Sequence, residues 1–141
     1  MKHLVLENGS YLVYPTGANV SSMVVYIENI VTTFKKHKIN LDKKSNVICI
    51  WCRGSSGAML AAMFAYTFKR ATVRIKYVKK QGEHSHNSSI NISPPNSIDI
   101  IIDDFMDTGE TIFRIWHDSP IKKIDYLILN GVPPSYFRAA L

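Results

Sequence analysis

Only two cysteines occur in this chain of 141 residues, and no apolar run reaches the ~20 residues that a membrane-spanning helix requires. No transmembrane helix is expected. The opening residues MKHLVLENGSY lack the apolar stretch of a signal peptide, so a cytoplasmic location is expected. Acidic residues are the scarcer charge, 11 against 17 Lys and Arg, which leaves a formal net charge of +6. That excess suits an anionic ligand or nucleic acid. The basic residues, however, are scattered in pairs at Lys35-Lys36, Lys43-Lys44, Lys79-Lys80 and Lys122-Lys123, without the interleaved aromatics that track a nucleic-acid strand. Nucleic acid is therefore not the expected partner. Cys49 and Cys52 form a C-x-x-C, but Cys49 sits inside an apolar run rather than at a helix start, which predicts two reduced, buried or half-buried thiols.

What is present is the composition of a globular domain, 46% hydrophobic and 20% charged, long enough to bury a core as a single unit over residues 1–141. Leu4 to Leu6, Asn8-Gly9 and Tyr11 to Tyr14 read as a β-hairpin around a tight turn. Apolar residues at helical spacing, Val24, Val25, Ile27, Ile30, Val31 and Phe34, predict a helix from about Ser21 to His37, capped by Ser21 or Ser22. After a polar loop from Lys38 to Asn46, VICIW (47–51) is a fully apolar strand, and Ala58 to Phe68 a helix. Thr72 to Val78 predicts a third strand. The segment from Lys79 to Ser97, KKQGEHSHNSSINISPPNS, is almost devoid of apolar residues and reads as a long surface loop of the kind that serves as an active-site lid. Its His84 and His86 have no third ligand at a suitable spacing, so no metal is expected there. IDYLIL (124–129) is a last strand. The order predicts an α/β fold with a mainly parallel central sheet flanked by helices.

The most informative stretch is IDIIIDDFMDTGET (98–111). A β-branched run broken only by Asp99 predicts a strand buried on both faces. Asp103 and Asp104 follow at its carboxyl end, where open α/β sheets bind ligands. Asp107-Thr108-Gly109-Glu110-Thr111 then leads into the helical pattern of Ile112, Phe113, Ile115 and Trp116. Amides at a helix start, a glycine and two hydroxyls suit a phosphate, while the paired carboxylates call for hydroxyls or a bound cation on the same ligand. Upstream, Cys52-Arg53-Gly54-Ser55-Ser56-Gly57 forms a second turn suited to an anion, with Arg53 able to donate paired hydrogen bonds. It is not a nucleotide-binding P-loop, because no Lys follows the last glycine.

DDFMDTGET resembles the phosphoribosyl pyrophosphate (PRPP) signature of the type I phosphoribosyltransferases, and CRGSSG is similar to their pyrophosphate loop. The resemblance implies a Mg²⁺-dependent enzyme that transfers ribose 5-phosphate from PRPP to a nucleobase with release of pyrophosphate. It implies the 5-phosphate on Asp107, Thr108, Gly109, Glu110 and Thr111, the ribose hydroxyls and Mg²⁺ on Asp103 and Asp104, and pyrophosphate near Arg53, Gly54, Ser55, Ser56 and Lys79. It also implies Lys80 in a closing lid, a homodimer, and a small hood built from the termini, including Tyr136 and Phe137. Asp107 is similar to the acid of 6-oxopurine enzymes, whereas the basic, His-containing lid is similar to that of the orotate type, so the base stays open between them. A PRPP-binding regulator that contacts nucleic acid is the alternative.

Overall fold

The computed structural model describes residues 4–5, 20–78, 96–103, 114 and 124–129. They form β1 (Leu4–Val5), α1 (Val20–Lys36), β2 (Val47–Cys52), α2 (Gly54–Tyr66), β3 (Thr72–Tyr77), β4 (Ile98–Ile102) and β5 (Tyr126–Leu129). The strands make one sheet in the order β1-β5-β4-β2-β3, with every neighbouring pair parallel. Leu4 and Val5, expected in a hairpin arm, pair parallel with Ile128 and Leu129, and the remainder of that expected hairpin lies outside the described residues.

Helix α1 buries a narrower stripe than the apolar content suggests. Met23, Tyr26, Ile27, Ile30 and Phe34, at steps of three and four, face the core, whereas Val24 and Val25 are 39% and 54% exposed. The helix starts at Val20, so Ser21 and Ser22 fall inside its first turn and not at the cap. Its other end closes on Lys38 at φ 56°, with the Ile39 amide donating to the Phe34 carbonyl and the Lys38 amide to that of Lys35. This is a left-handed termination in which a Lys stands where glycine is usual. Lys35 and Lys36 in the last turn also complement the negative end of the helix dipole.

From β1 through α1 to β2, and from β2 through α2 to β3, the chain moves the same way across the sheet. Right-handed crossovers then place both helices on one face. That face carries Ile48, Ile50, Cys52, Ile100, Ile102, Tyr126 and Ile128, and between the helices Phe34 stacks on Phe64 with ring centroids 6.1 Å apart. Each fully buried aliphatic contributes about 1.5–3 kcal/mol relative to exposure. The opposite face is buried as well, through Cys49, Trp51, Asp99, Ile101 and Leu127. Burial on both sides explains why β2 and β4 read as continuous apolar runs.

The loop from Lys38 to Asn46 is tied to the turn before β3 by one side chain. Asp42 accepts hydrogen bonds from the Lys69, Arg70 and Ala71 amides at 3.0, 2.7 and 2.9 Å. Those bonds, Ala71 first, hold its carboxyl below the ordinary carboxylate value. A group with a depressed folded value stabilises the fold above its unfolded value and stops doing so as pH falls through the folded one. The stability difference between the wild type and Asp42→Ala is therefore expected to be full near neutrality and to shrink below about pH 4. Chemical denaturation of both proteins across that range checks it, and a difference independent of pH would refute the clamp.

Candidate functional site

Strands β2 and β4 are neighbours, yet the connection after β2 leads outward to β3 and the one after β4 leads the other way to β5. Such a reversal opens a crevice beyond the carboxyl ends of the two strands, the usual ligand site of open α/β sheets. Both motifs singled out in the sequence begin there. Two residues past the paired Trp51 and Ile101 stand Arg53 and Asp103, one at the end of each strand.

On the β2 side, the turn expected at Gly54 to Gly57 is already helical, so α2 starts four residues earlier than the sequence suggests. Gly54 permits this because it enters the helix at φ 82°, a conformation that costs other residues about 1–2 kcal/mol. Arg53 occupies the N-cap with extended backbone and makes no side-chain cap bond. The first-turn amides of Gly54, Ser55 and Ser56 thus belong to a helix start, where unpaired N–H groups and the dipole favour an anion. The Nε of Arg53 is buried and has no hydrogen-bond partner among the described residues. A buried donor of this kind is costly unless an acceptor meets it. Gly57 is buried against β2, and a Cβ there would meet the Cβ of Cys52 at 3.6 Å, an ordinary van der Waals contact.

On the β4 side, Asp103 is 7% exposed. Its amide donates to the Ile128 carbonyl at 3.0 Å and its carbonyl accepts the Tyr26 hydroxyl at 2.6 Å. Cys52 lies near enough to sense this acid. Burial, with the Asp103 charge second, pushes the Cys52 thiol up to about 12. Neither Cys49 nor Cys52 forms a disulfide, both are buried, and they belong to opposite faces of β2, as the reading of two inert thiols requires.

The described structure thus brings Arg53, Gly54, Ser55, Ser56 and Asp103 to one edge. Asp104, Asp107, Thr108, Gly109, Glu110, Thr111, Lys79, Lys80, His84, His86, Tyr136 and Phe137 lie outside the described residues. Ser97, expected as the last residue of the lid, is buried and its hydroxyl donates to Asp99 at 3.3 Å, whereas residues 79–95 of that expected loop lie outside the described residues. Asp99 also takes the Trp51 indole N–H at 3.0 Å, and its own amide donates to Asp125 at 2.9 Å. These partners, like Tyr26, went unnoticed in the sequence. The signal was Asp99 itself, a lone acid inside a doubly buried strand, which must collect donors from residues distant in the chain.

The described residues define an α/β protein with a parallel sheet and a basic and an acidic residue at the ends of the two neighbouring strands where its order reverses. No family model, no curated protein and no solved structure matches the chain. Among the described residues no helix is long and apolar enough to cross a membrane, and no group of three or more His, Cys, Asp or Glu is placed to hold a metal. Mg²⁺ does not need such a group. It keeps several waters and is commonly held by one or two carboxylates together with substrate phosphates, a role that Asp103 with Asp104 has the donor chemistry to fill.

Proposed function

We propose that the protein is a phosphoribosyltransferase of the type I kind, binding PRPP across the carboxyl edge of β2 and β4 and passing its ribose 5-phosphate to a nucleobase. The observation that carries this reading is that Arg53, with its unpartnered buried Nε, and Asp103 follow neighbouring strands at the point where the sheet order reverses. The sequence that follows Asp103, DFMDTGET, supplies the rest of the PRPP signature.

In this reading the bond from the anomeric carbon to the pyrophosphate oxygen breaks, and its electrons leave with pyrophosphate. A lone pair on a nitrogen of the base forms the new bond, and the proton of that nitrogen passes to an acceptor such as Asp107. Positive charge grows on the sugar and negative charge on the leaving group. Carboxylates beside the ribose, Asp103 and Asp104, stabilise the first, and the α2 amides with Arg53 stabilise the second. Mg²⁺, when bound, adds charge neutralisation at the phosphate oxygens. Thr108 to Thr111 hold the 5-phosphate, while Lys79 and Lys80 close over the pyrophosphate and keep water out. The base is a 6-oxopurine or orotate, and the working form is a homodimer.

The test is to incubate the protein with PRPP, Mg²⁺ and a panel of bases and to follow pyrophosphate release. One base is expected to sustain release, and PRPP at about a hundredfold excess over its Kd is expected to add roughly 2.7 kcal/mol of stability. The absence of both pyrophosphate release and a PRPP-dependent thermal shift would dispose of the proposal. The net charge of +6 permits a second reading, a PRPP-binding regulator that contacts nucleic acid. A thermal shift without release, together with PRPP-sensitive retention of RNA or DNA on a filter, would select it.

A further inference from the structure

Asp103 is fixed through its own main chain. Its amide extends the pairing with β5 by donating to Ile128, and its carbonyl, the first beyond β4, accepts the Tyr26 hydroxyl at 2.6 Å. Tyr26 is 2% exposed and stands on α1, 77 positions earlier in the chain. Its ring is packed in the core, so the hydroxyl has no freedom to wander, and a short, buried O–H···O bond is among the more directional contacts a peptide makes. With both polar main-chain atoms taken, the peptide planes on either side of Asp103 are held, and with them the direction in which its Cα–Cβ bond departs.

A phenol is a costly group to bury, and a Phe would fill the same volume without a polar atom. We propose that Tyr26 is a positioning residue for Asp103: it sets where that carboxylate enters the crevice between β2 and β4, and so how tightly the site takes a phosphorylated ribose. The affinity part of this assignment rests on reading Asp103 as the acid that meets the sugar hydroxyls.

Three proteins test it: the wild type, Tyr26→Phe, which loses the hydroxyl alone, and Ile30→Val, which loosens α1 one turn further along its buried face without touching Asp103. Titration calorimetry with PRPP and Mg²⁺, well below the unfolding temperature, is expected to show Tyr26→Phe weaker than the wild type by about tenfold or more, with Ile30→Val within about twofold. Carbon-detected NMR of the ligand-free proteins is expected to show the Asp103 carboxyl resonance displaced in Tyr26→Phe and unmoved in Ile30→Val. Equal weakening by the two variants, or an Asp103 resonance unmoved in Tyr26→Phe, overturns the proposal. Should the wild type not bind PRPP at all, the reading of function falls, and the displacement of the Asp103 resonance alone decides the positioning role.

Discussion

Turnover is expected to vanish when Asp103 and Asp104 are both replaced by Asn, with pyrophosphate release slowed by about 10²–10³-fold or more. The fold should survive. Asn matches Asp in volume, and the contacts that fix residue 103, to the Ile128 carbonyl and the Tyr26 hydroxyl, are made by its main chain and persist in the variant. What disappears is negative charge beside a sugar on which positive charge grows, a loss concentrated in the transition state. The rate of release should therefore fall much more than the affinity for PRPP. Steady-state kinetics with the cognate base, set beside a thermal melt of the same sample, separate the two effects. A variant that turns over at the wild-type rate would show that neither carboxylate takes part. A variant that is inactive because it has unfolded would be recognised by the melt.

Stability is expected to fall most with Phe64→Ala, by about 3–5 kcal/mol. Phe64 is 2% exposed on α2, stacks on Phe34 of α1, and meets the ring of Phe68 edge-on at 5.1 Å. Removing it opens a cavity where both helices meet the sheet, within the apolar cluster that includes Phe34, Ile48, Leu60 and Ala61. Against a total stability of about 5–15 kcal/mol, typical of single domains, such a loss is severe. Urea denaturation measures it directly. A loss below about 1 kcal/mol would mean that the two helices do not share one packed layer.

The parts of the fold legible in the sequence were those with strong local signals. Ile98 to Ile102 was recognised as a strand with its bounds correct, because five residues of which four are isoleucine have few alternatives to a strand buried on both faces. The helix from Val20 to Lys36 was found within a residue at each end, but its buried face was not. Val24 and Val25 are as apolar as Ile27, and only the sheet decides which side of the cylinder is covered. Gly54 to Gly57 looked like a loop, since glycine and serine favour turns. In the fold they form the first turn of α2, entered through the positive φ of Gly54 and carried onward by the Ala- and Met-rich helix behind it.

The same division runs through the candidate site. Local chemistry alone named Arg53, the glycines and serines after it, and Asp103, because charges and small residues at the ends of apolar strands are visible one window at a time. That Arg53 and Asp103 stand at the ends of neighbouring strands follows from strand order, which places β2 beside β4 although β3 lies between them in the chain. The anchors of the site were equally hidden: Tyr26 on Asp103, and Trp51 with Ser97 on Asp99. Each is a hydrogen bond between a buried polar atom and a donor whose position no local pattern encodes. Residue types and their spacing determined which groups are available for chemistry. The tertiary fold decided which of them meet, because a buried charge must find its partners in space and cannot find them along the chain.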